Sequence, residues 1–386
     1  MSIYLNNAAT TWPKPKEVAD SVYDFMVNQG ANVARGAATE RDLASLDNVF
    51  SCRLAIAELM GGYDKANPKY VTFTPNITES INTILKGIIK PEMRIVTTSM
   101  EHNAVVRPLR RLEDTGVKAE YIQCSMKGYL SPTSLDIALQ EKTDLVIMSH
   151  CSNVCGSLND IEKIAEVCAK HKVPLVIDSA QTAGIIPINI ADLGLSALCF
   201  TGHKGLFGPQ GVGGIVWSPK FAELCEPLID GGTGSFSHEE HQPTQLPDKF
   251  ESGTPPLPAI AGLLASVNWI KKTGMTEIRE KEEKLGQRLE DGLRKIKGLR
   301  IAGPAEEDKK LPVYAINIKN KDNAIMAAEL SNTYEIESRP GLHCAPLAHK
   351  TLGTFPEGAL RLSPSYFNTE EEIDKTIEAL DKLAKE

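Results

Sequence analysis

Lys204 places a primary amine where a buried strand is expected to end. It lies in the stretch FTGHKGLFGPQGVGG (200–214), between a short apolar run and a glycine-rich turn. Most lysines lie on solvated surfaces, whereas an amine held beside a buried strand can form a Schiff base with a carbonyl compound. The position of Lys204 therefore indicates a covalent attachment point for a carbonyl-bearing molecule.

Polar residues at the ends of other apolar runs match the needs of pyridoxal 5′-phosphate (PLP), the commonest carbonyl cofactor that attaches to lysine. Asp178 ends the run PLVIDSA, where its carboxylate would face the crevice of an open sheet and keep the pyridine nitrogen protonated. Gln181 is placed to bond the ring hydroxyl, and His102 in SMEHNAVV is placed to stack on the ring. Together with Lys204, these residues predict a PLP site.

Donors for a phosphate group occur in two further stretches. TPNITESIN (74–82) is typical of a turn into a helix N-terminus, where Ile77 and Thr78 would offer backbone N–H groups to phosphate. Thr201 and His203 add donors beside the lysine. Taken singly, an aspartate after a strand is often a helix cap, and a loop histidine is often structural. The joint order of these residues favours PLP binding.

Apolar runs alternate with helical patterns through the first two thirds of the chain. The strand-like runs are KYVTFT, RIVTTS, AEYIQC, DLVIMSH, PLVIDSA, ALCFTG and VGGIVWS. Helical periodicity joins Leu43, Leu46, Phe50, Leu54 and Ala57, and later Ile161, Ile164 and Cys168. Near-continuous apolar strands separated by helices predict an α/β protein, with a mostly parallel sheet covered by helices on both faces.

The pattern changes near residue 255. A proline-rich turn, SGTPPLPAI, precedes a long helix from Met275 to Ile296 and the strand candidates PVYAINI, YEIES and ALRLSPS. A closing helix begins at a capping box formed by Thr369 and Glu372. These features predict a second, smaller α+β unit.

The chain is therefore expected to contain two domains. The large PLP-binding α/β domain is predicted to span 15–255, and the small α+β domain to join 1–14 to 256–386. A length of 386 residues suits this division.

Composition argues against several classes of protein. The net charge of −8 disfavours nucleic acid or an anionic membrane as a partner. No apolar run is long enough to span a membrane, and MSIYLNNAATTWPKP lacks a signal-peptide pattern, so we expect a cytoplasmic protein. The eight cysteines have no metal-site spacing, so we expect reduced thiols and no metal site.

The order of the motifs resembles the class V aminotransferase-like, PLP-dependent family, and within it the cysteine desulfurase and selenocysteine lyase branch. The matching stretches run nearly end to end: LNNAATT, TPNITESIN, EHNAVV, SHCSNVCGS, DSAQ, TGHKGLFGPQGVGG, ESGTP and RPGLHCAPLAHKTLGT. The resemblance implies the PLP-dependent transferase fold of type I. It also implies the assignments made above for the lysine, the aspartate, the glutamine, the histidines and the threonines.

The resemblance adds residues that the patterns alone do not predict. Asn153 is implied to contact substrate near the ring, and Asn7 and Ala8 to help line the site. Gly253 and Thr254 in ESGTP are implied to reach the phosphate of the partner subunit, so a homodimer is expected. The substrate carboxylate would be held by two arginines, Arg361 in ALRLS and Arg339 in SRPG.

The type of reaction depends on SRPGLHCAPLAHKTLG (338–353). Cys344 lies on a loop flanked by glycine and proline, where Arg339 and His343 are expected to favour the thiolate. Most free cysteines are small buried hydrophobes, but this pattern resembles the motif that carries the sulfur-accepting cysteine. The short loop resembles the Suf-type group, which usually needs an acceptor protein, although Leu342 replaces a histidine of that group.

We therefore expect a cysteine desulfurase that converts L-cysteine to L-alanine and leaves a persulfide on Cys344 for transfer to an acceptor protein. The alternatives are a selenocysteine lyase acting on L-selenocysteine, or a class V aminotransferase or lyase in which Cys344 is incidental. A non-catalytic PLP-binding scaffold is a further alternative. Cys155, two residues after Asn153, is either a packing residue or a second thiol near the site.

Overall fold

A computed structural model describes residues 2–33 and 39–385. Its α-helices are α1 (Lys16–Asp24), α2 (Glu40–Leu59), α3 (Tyr63–Ala66), α4 (Ile77–Ile88), α5 (Asn103–Glu113), α6 (Pro132–Ala138), α7 (Ile161–His171), α8 (Pro219–Leu224), α9 (Leu257–Thr273), α10 (Met275–Leu293), α11 (Asn323–Tyr334), α12 (Pro346–Leu352) and α13 (Glu370–Lys385). A π turn (Phe25–Gln29) extends α1, and 3-10 turns cover Pro68–Tyr70 and Asp248–Phe250.

The strands are β1 (Ile3–Tyr4), β2 (Val71–Thr74), β3 (Arg94–Thr98), β4 (Lys118–Ile122), β5 (Leu145–Ser149), β6 (Leu175–Asp178), β7 (Ala197–Thr201), β8 (Gly213–Trp217), β9 (Leu299–Ala302), β10 (Tyr314–Ile318), β11 (Ile336–Glu337), β12 (Arg339–Gly341) and β13 (Ala359–Leu362). All seven strand-like runs predicted in the first two thirds of the chain form strands.

Seven of these strands form the large sheet, in the order β2-β8-β7-β6-β5-β3-β4. Within the described residues, only β8 runs antiparallel to its neighbours in this sheet. Strands such as β5 and β7 are buried at every position, since helices cover both faces. The predicted mostly parallel sheet is confirmed, and the carboxyl ends of its parallel strands share one edge.

Two helices start at that edge because side chains cap them. The Asn76 side chain accepts a hydrogen bond from the backbone N–H of Glu79 at the start of α4 (3.1 Å). Nδ1 of His102 accepts from the backbone N–H of Ala104 at the start of α5 (3.0 Å). The two caps place the N-termini of α4 and α5 beside the carboxyl ends of β2 and β3.

A second, antiparallel sheet has the order β12-β13-β10-β9, and β1 pairs with β11. Its inner face packs on α10 and α13, with Leu289 and Leu380 fully buried. The capping box at α13 is confirmed: the Thr369 hydroxyl accepts from the backbone N–H of Glu372 (3.2 Å), and the Glu372 carboxylate accepts from the backbone N–H of Thr369 (3.1 Å). The division of the chain at residue 255 stays a prediction.

Three details differ from the sequence-based expectations. Helix α9 was not predicted; it precedes α10, and Gly274, with a left-handed φ of 93°, separates the two helices. Strand β9 was not predicted. Leu43 and Phe50, on the predicted apolar stripe of α2, are about half exposed at 55% and 54%.

No helix in the described ranges is long and apolar enough to cross a membrane.

Glu251 anchors the ESGTP segment to the edge strand β2. Its carboxylate accepts hydrogen bonds from the backbone N–H of Phe73 (2.6 Å) and from the buried guanidinium of Arg53 (2.7 Å). The Arg53 guanidinium also donates to the carbonyl of Val71 (2.5 Å). The edge of the sheet, a buried cation and the following loop therefore depend on one carboxylate.

We expect Glu251→Ala to lower the free energy of unfolding by about 3 kcal/mol, because it leaves a buried guanidinium and an edge N–H unpaired. Urea denaturation measures the change. The matched control is Glu58→Ala, which breaks the half-exposed pair with Lys271 and should cost less than about 1 kcal/mol. Equal losses in both variants would contradict the anchoring role.

Candidate active site

The predicted cofactor residues meet at the carboxyl edge of the large sheet. Asp178 ends β6, Lys204 follows β7 by three residues, and His102 lies between β3 and α5. The chain after Lys204 turns tightly against a neighbouring loop: a Cβ at Gly205 would lie 2.6 Å from the carbonyl oxygen of Ala183. Only glycine fits this approach, and it brings the lysine over the end of the sheet.

The Lys204 amine is buried, and burial lowers its pKa to about 8. Arg361 and Arg339 lower this pKa further, whereas Asp178 and Cys344 oppose the shift. At pH 7 about a tenth of the amine is therefore neutral, far more than for an ordinary lysine. A neutral lysine amine is the form that attacks a carbonyl carbon.

An N-terminal segment fixes the backbone on both sides of Lys204. The carbonyl of His203 accepts hydrogen bonds from the ammonium of Lys14 (2.8 Å) and from the hydroxyl of Thr10 (3.1 Å). The Thr11 hydroxyl donates to the carbonyl of Lys204 itself (3.1 Å). Lys14 was not predicted from the sequence, and burial lowers its pKa to about 7.

Asn7 and Ala8 lie just before this segment and line one cavity with Lys204 and Gln181. Both are buried, and the Asn7 side chain donates to the carbonyl of Ser363 (2.9 Å). The Gln181 amide donates to the carbonyl of Ala8 (3.1 Å). The structure therefore brings these predicted residues together around the lysine.

The carboxylate of Asp178 is almost fully buried, with 5% of the residue exposed. Its Oδ1 accepts a hydrogen bond from the backbone N–H of Ala180 (2.9 Å). Burial raises the pKa of this carboxyl group, whereas that hydrogen bond and the charge of Lys204 lower it. Because no ion pair in the described ranges involves Asp178, a protonated ring nitrogen fits as its partner.

Two donors beside the lysine lack partners within the described part of the chain. The Thr201 hydroxyl and Nδ1 of His203 are buried and make no hydrogen bond there. The pKa of His203 is lowered to about 4 by burial and then by Lys204 and Lys14, so its ring is neutral. Buried polar atoms without partners are costly, and a phosphate oxygen would satisfy them.

The N-terminus of α4 supplies the other predicted phosphate contacts. Ile77 is buried and begins this helix, and Thr78 is exposed beside it. His102 is half-buried, and its pKa is lowered to about 4 by burial and then by Lys204. Because Nδ1 of His102 accepts from the backbone, the proton of the neutral ring lies on Nε2. The residues present therefore fit PLP in charge, donors and covalent attachment.

Gly253 and Thr254 are not brought to Lys204 of their own chain. They line a separate groove of about 220 Å³ with Thr74 and Glu79, alongside β2 and α4. A contact with the cofactor of a partner subunit stays a prediction.

Cys344 is exposed, whereas the other seven cysteines are buried. The loop after β12 holds His343 and Cys344 in left-handed conformations, with φ of 49° and 57°. Nη2 of Arg339 lies 3.8 Å from the Cys344 sulfur, and the Cys344 carbonyl accepts from the backbone N–H of Asn103 (2.7 Å). Arg339 therefore lies beside the thiol, and its effect on the thiolate stays a prediction.

The expectation that His343 also favours the thiolate is wrong. Its Nε2 bonds the carbonyl of Arg339 (2.9 Å), and its Nδ1 bonds Nε2 of His349 (3.1 Å). Burial lowers the pKa of His343 to about 3 and that of His349 to about 4. The His343 ring is therefore neutral, and neither of its nitrogens is free to contact the sulfur.

The two histidines instead form a directed hydrogen-bond chain. A carbonyl oxygen only accepts, so His343 donates through Nε2 and accepts at Nδ1 from His349. Nδ1 of His349 must then accept from the hydroxyl of Thr354 (2.7 Å). The sequence analysis did not predict a role for His349 or Thr354.

Asn153 and Arg361 connect this loop to the N-terminal segment. The side-chain amide of Asn153 donates to the backbone carbonyl of His343 (2.8 Å). The backbone carbonyl of Asn153 accepts from the guanidinium of Arg361 (2.7 Å). Arg361 also donates to the side chain of Asn6 (3.0 Å), another residue the sequence reasoning missed. Burial, followed by the charge of Arg339, lowers the pKa of Arg361 to about 9.

Arg361 is suited to an anionic ligand. Only 1% of the residue is exposed, its Nε has no hydrogen-bond partner, and no carboxylate pairs with it in the part of the chain that the structure describes. A buried guanidinium without a counter-ion favours binding of a carboxylate.

Cys155 behaves as a packing residue. It is 2% exposed, its sulfur lies 3.6 Å from the Ser157 hydroxyl, and burial raises the pKa of its thiol. A Cβ at Gly303 would lie 2.5 Å from the Cys155 Cβ, so the surroundings are tightly filled.

This fold and site define a PLP-dependent enzyme of fold type I. The family model for aminotransferase class-V matches residues 3–376. The chain belongs to the class-V aminotransferase family, as the sequence resemblance implied. The predicted fold and cofactor are confirmed.

Individual relatives are similar over almost their whole length. A probable cysteine desulfurase of Pyrococcus abyssi is 30% identical, and the alignment covers 99% of this chain and 94% of that protein. A cysteine desulfurase of Haloferax volcanii is 29% identical, with 98% and 88% covered. The apo structure of cysteine desulfurase from Thermococcus onnurineus superposes with a TM-score of 0.92 at 29% identity, covering 100% of this chain and 95% of that one.

The lowered pKa of Lys204 predicts how PLP attachment depends on pH. The rate should rise about tenfold per pH unit below about 8 and level off above it, because only the neutral amine attacks the carbonyl. Visible absorbance after mixing PLP with the cofactor-free protein measures the rate. Borohydride treatment followed by peptide mapping should find the cofactor on Lys204, and labelling of another lysine would overturn the assignment.

The hydrogen-bond chain predicts that Thr354 holds the Cys344 loop through His349. Thr354→Val keeps the shape but removes the donor, so persulfide formation at Cys344 should slow about tenfold. Thr354→Ser keeps the hydroxyl and should restore the wild-type rate. Melting temperature and PLP absorbance are recorded for both variants. Equal rates of persulfide formation in the valine and serine variants would show that the chain does not position the thiol.

Proposed function

We propose that the chain is a cysteine desulfurase, which converts L-cysteine to L-alanine and leaves a persulfide on Cys344. The observation that carries this proposal is the exposed Cys344 thiol beside Arg339, on a loop bonded to the first residue of α5 next to His102. An aminotransferase needs no thiol at this place. The names of the similar proteins support the same function.

The site divides the reaction between buried and exposed groups. Bound PLP supplies an electron sink for negative charge that develops at the substrate Cα. Asp178 would keep the ring nitrogen protonated, Gln181 would contact the ring oxygen and His102 would stack on the ring. Thr201, His203 and the start of α4 would hold the phosphate.

Substrate binding falls to Arg361, with Asn153 placed between it and the cysteine loop. Arg361 and Arg339 pair with the carboxylate of L-cysteine, which orients the Cα proton toward Lys204. The Lys204 amine, with its lowered pKa, would take this proton.

Cys344 performs the sulfur step. Its thiolate, paired with Arg339, attacks the sulfur of the substrate, so an S–S bond forms while the Cβ–S bond breaks. The electron pair of the broken bond stays with the carbon fragment, and Cβ takes a proton on the way to L-alanine. No external oxidant is needed, because the two electrons that the sulfur atoms lose in forming the S–S bond are taken up by the carbon fragment.

A two-fold homodimer is part of the proposal. Gly253 and Thr254 would complete the phosphate site of the partner subunit. Exposed apolar side chains support an interface on this side of the molecule: Tyr23, Met26, Val27, Leu43 and Phe50. Pro255 and Phe50 line one groove of about 450 Å³, so this apolar surface adjoins the ESGTP segment.

A cytoplasmic location and an acceptor protein for the persulfide complete the proposal. All eight cysteines are free, which suits a reducing compartment. The exposed position of Cys344 would let an acceptor thiol reach the persulfide directly.

Replacing Cys344 tests the function. Cys344→Ala should reduce L-alanine formation from L-cysteine at least about 100-fold, because the carbon–sulfur bond loses its nucleophile. The visible spectrum should still change on addition of L-cysteine, since the cofactor residues are intact. Cys155→Ala is the matched control and should keep the wild-type rate. A Cys344→Ala variant as fast as wild type would refute the desulfurase assignment.

A further inference from the structure

A charged groove leads from solvent to Cys344. It has a volume of about 340 Å³ and runs between α4 and α5. Each helix contributes a stripe of side chains at spacings of four residues, which places them on one face. The stripes are Thr78, Asn82 and Lys86 on α4, and Asn103, Arg107 and Arg111 on α5. Cys344 and His102 also line the groove, at the end where both helices begin.

The outer part of the groove carries positive charge without compensation. Lys86, Arg107 and Arg111 are exposed, and none of them pairs with a carboxylate in residues 2–33 and 39–385. Arg110, on the same helix, instead pairs with Glu113 (2.9 Å). The whole chain has a net charge of −8, whereas these three cations make the groove locally positive. The groove would therefore attract an anionic partner.

The dimensions of the groove suit an extended peptide. Positions 78 to 86 and 103 to 111 each contain nine residues, so the first and last Cα atoms are separated by about 12 Å along the helix axis. An extended chain covers this distance with about four residues. A thiol placed at Cys344 would therefore bring side chains two to four residues away next to the cations.

We propose that this groove docks the sulfur acceptor, and that the acceptor is a protein segment with acidic side chains within about four residues of its cysteine. This inference rests on the desulfurase function proposed above. In the transfer, the acceptor thiolate attacks the outer sulfur of the Cys344 persulfide. A new S–S bond forms, the original S–S bond breaks and the Cys344 sulfur leaves as a thiolate, so no oxidant or reductant is consumed.

Peptides of opposite charge test the inference on the PLP-loaded protein. Each test peptide has nine residues, with a central cysteine and one glycine on each side of it. One peptide has three glutamates at each end, and another has three lysines at each end. A third peptide, with three serines at each end, is the neutral reference. The persulfide is first formed with L-cysteine, and its discharge by each peptide is then followed. At low ionic strength the glutamate peptide should react at least about tenfold faster than the lysine peptide, and added salt should shrink this ratio.

Charge neutralisation in the groove should remove the preference. Lys86→Gln combined with Arg111→Gln should lower the glutamate-to-lysine ratio at least about fivefold. Arg110→Gln is the matched control outside the groove and should keep the wild-type ratio.

A ratio near one in the wild-type protein, or a ratio unchanged by the double substitution, would overturn the docking site. Dissociation of a dimer by the double substitution would also overturn it, because the groove would then be an interface between two copies of the chain. Failure of the wild-type protein to form any persulfide would instead refute the desulfurase function itself.

Discussion

The Lys204 amine is buried among a carboxylate, two guanidinium groups and a thiol, and the balance of charge among them decides what each group can do. Burial and the two arginines favour the neutral amine, whereas Asp178 and Cys344 favour the ammonium. Desolvation prevails, so the amine is available as a nucleophile and as a base near neutral pH. In the proposed assignment, PLP would attach to this amine and Asp178 would pair with the ring nitrogen.

Hydrogen bonds from the rest of the site fix the positions of these charged groups. Lys14 and Thr11 fix the backbone around Lys204, and Asn153 links Arg361 to the carbonyl of His343. One continuous set of hydrogen bonds therefore joins the large sheet, the N-terminal segment and the cysteine loop. In the proposed function, the buried groups act on the carbon skeleton of the substrate, and the exposed thiol accepts the sulfur and passes it to an acceptor.

The sequence was sufficient to predict the residues that follow strands. Asp178 ends one apolar run and Lys204 lies three residues after another, and parallel strands bring their carboxyl ends to one edge of the sheet. Lys14 could not be predicted, since its partner His203 is 189 residues away along the chain. His343 was misjudged for a similar reason, because its ring turns toward His349 and away from the neighbouring cysteine.

Helix periodicity also has a physical limit as a guide to burial. Leu43 and Phe50 follow the apolar stripe of α2 but are about half exposed, because periodicity marks one face of a helix without showing whether other residues pack on it. Helix α9 was missed because its first turn lies in the proline-rich stretch, and proline is tolerated at the first turn of a helix.

The central claim is that sulfur leaves the substrate for Cys344 and for no other thiol. The direct measurement is mass spectrometry of the PLP-loaded protein after a single turnover with L-cysteine labelled by heavy sulfur, followed by alkylation and digestion. We expect one heavy sulfur on the peptide that contains Cys344, together with one equivalent of L-alanine. Heavy sulfur on any of the seven buried cysteines, or L-alanine without protein-bound label, would contradict the account.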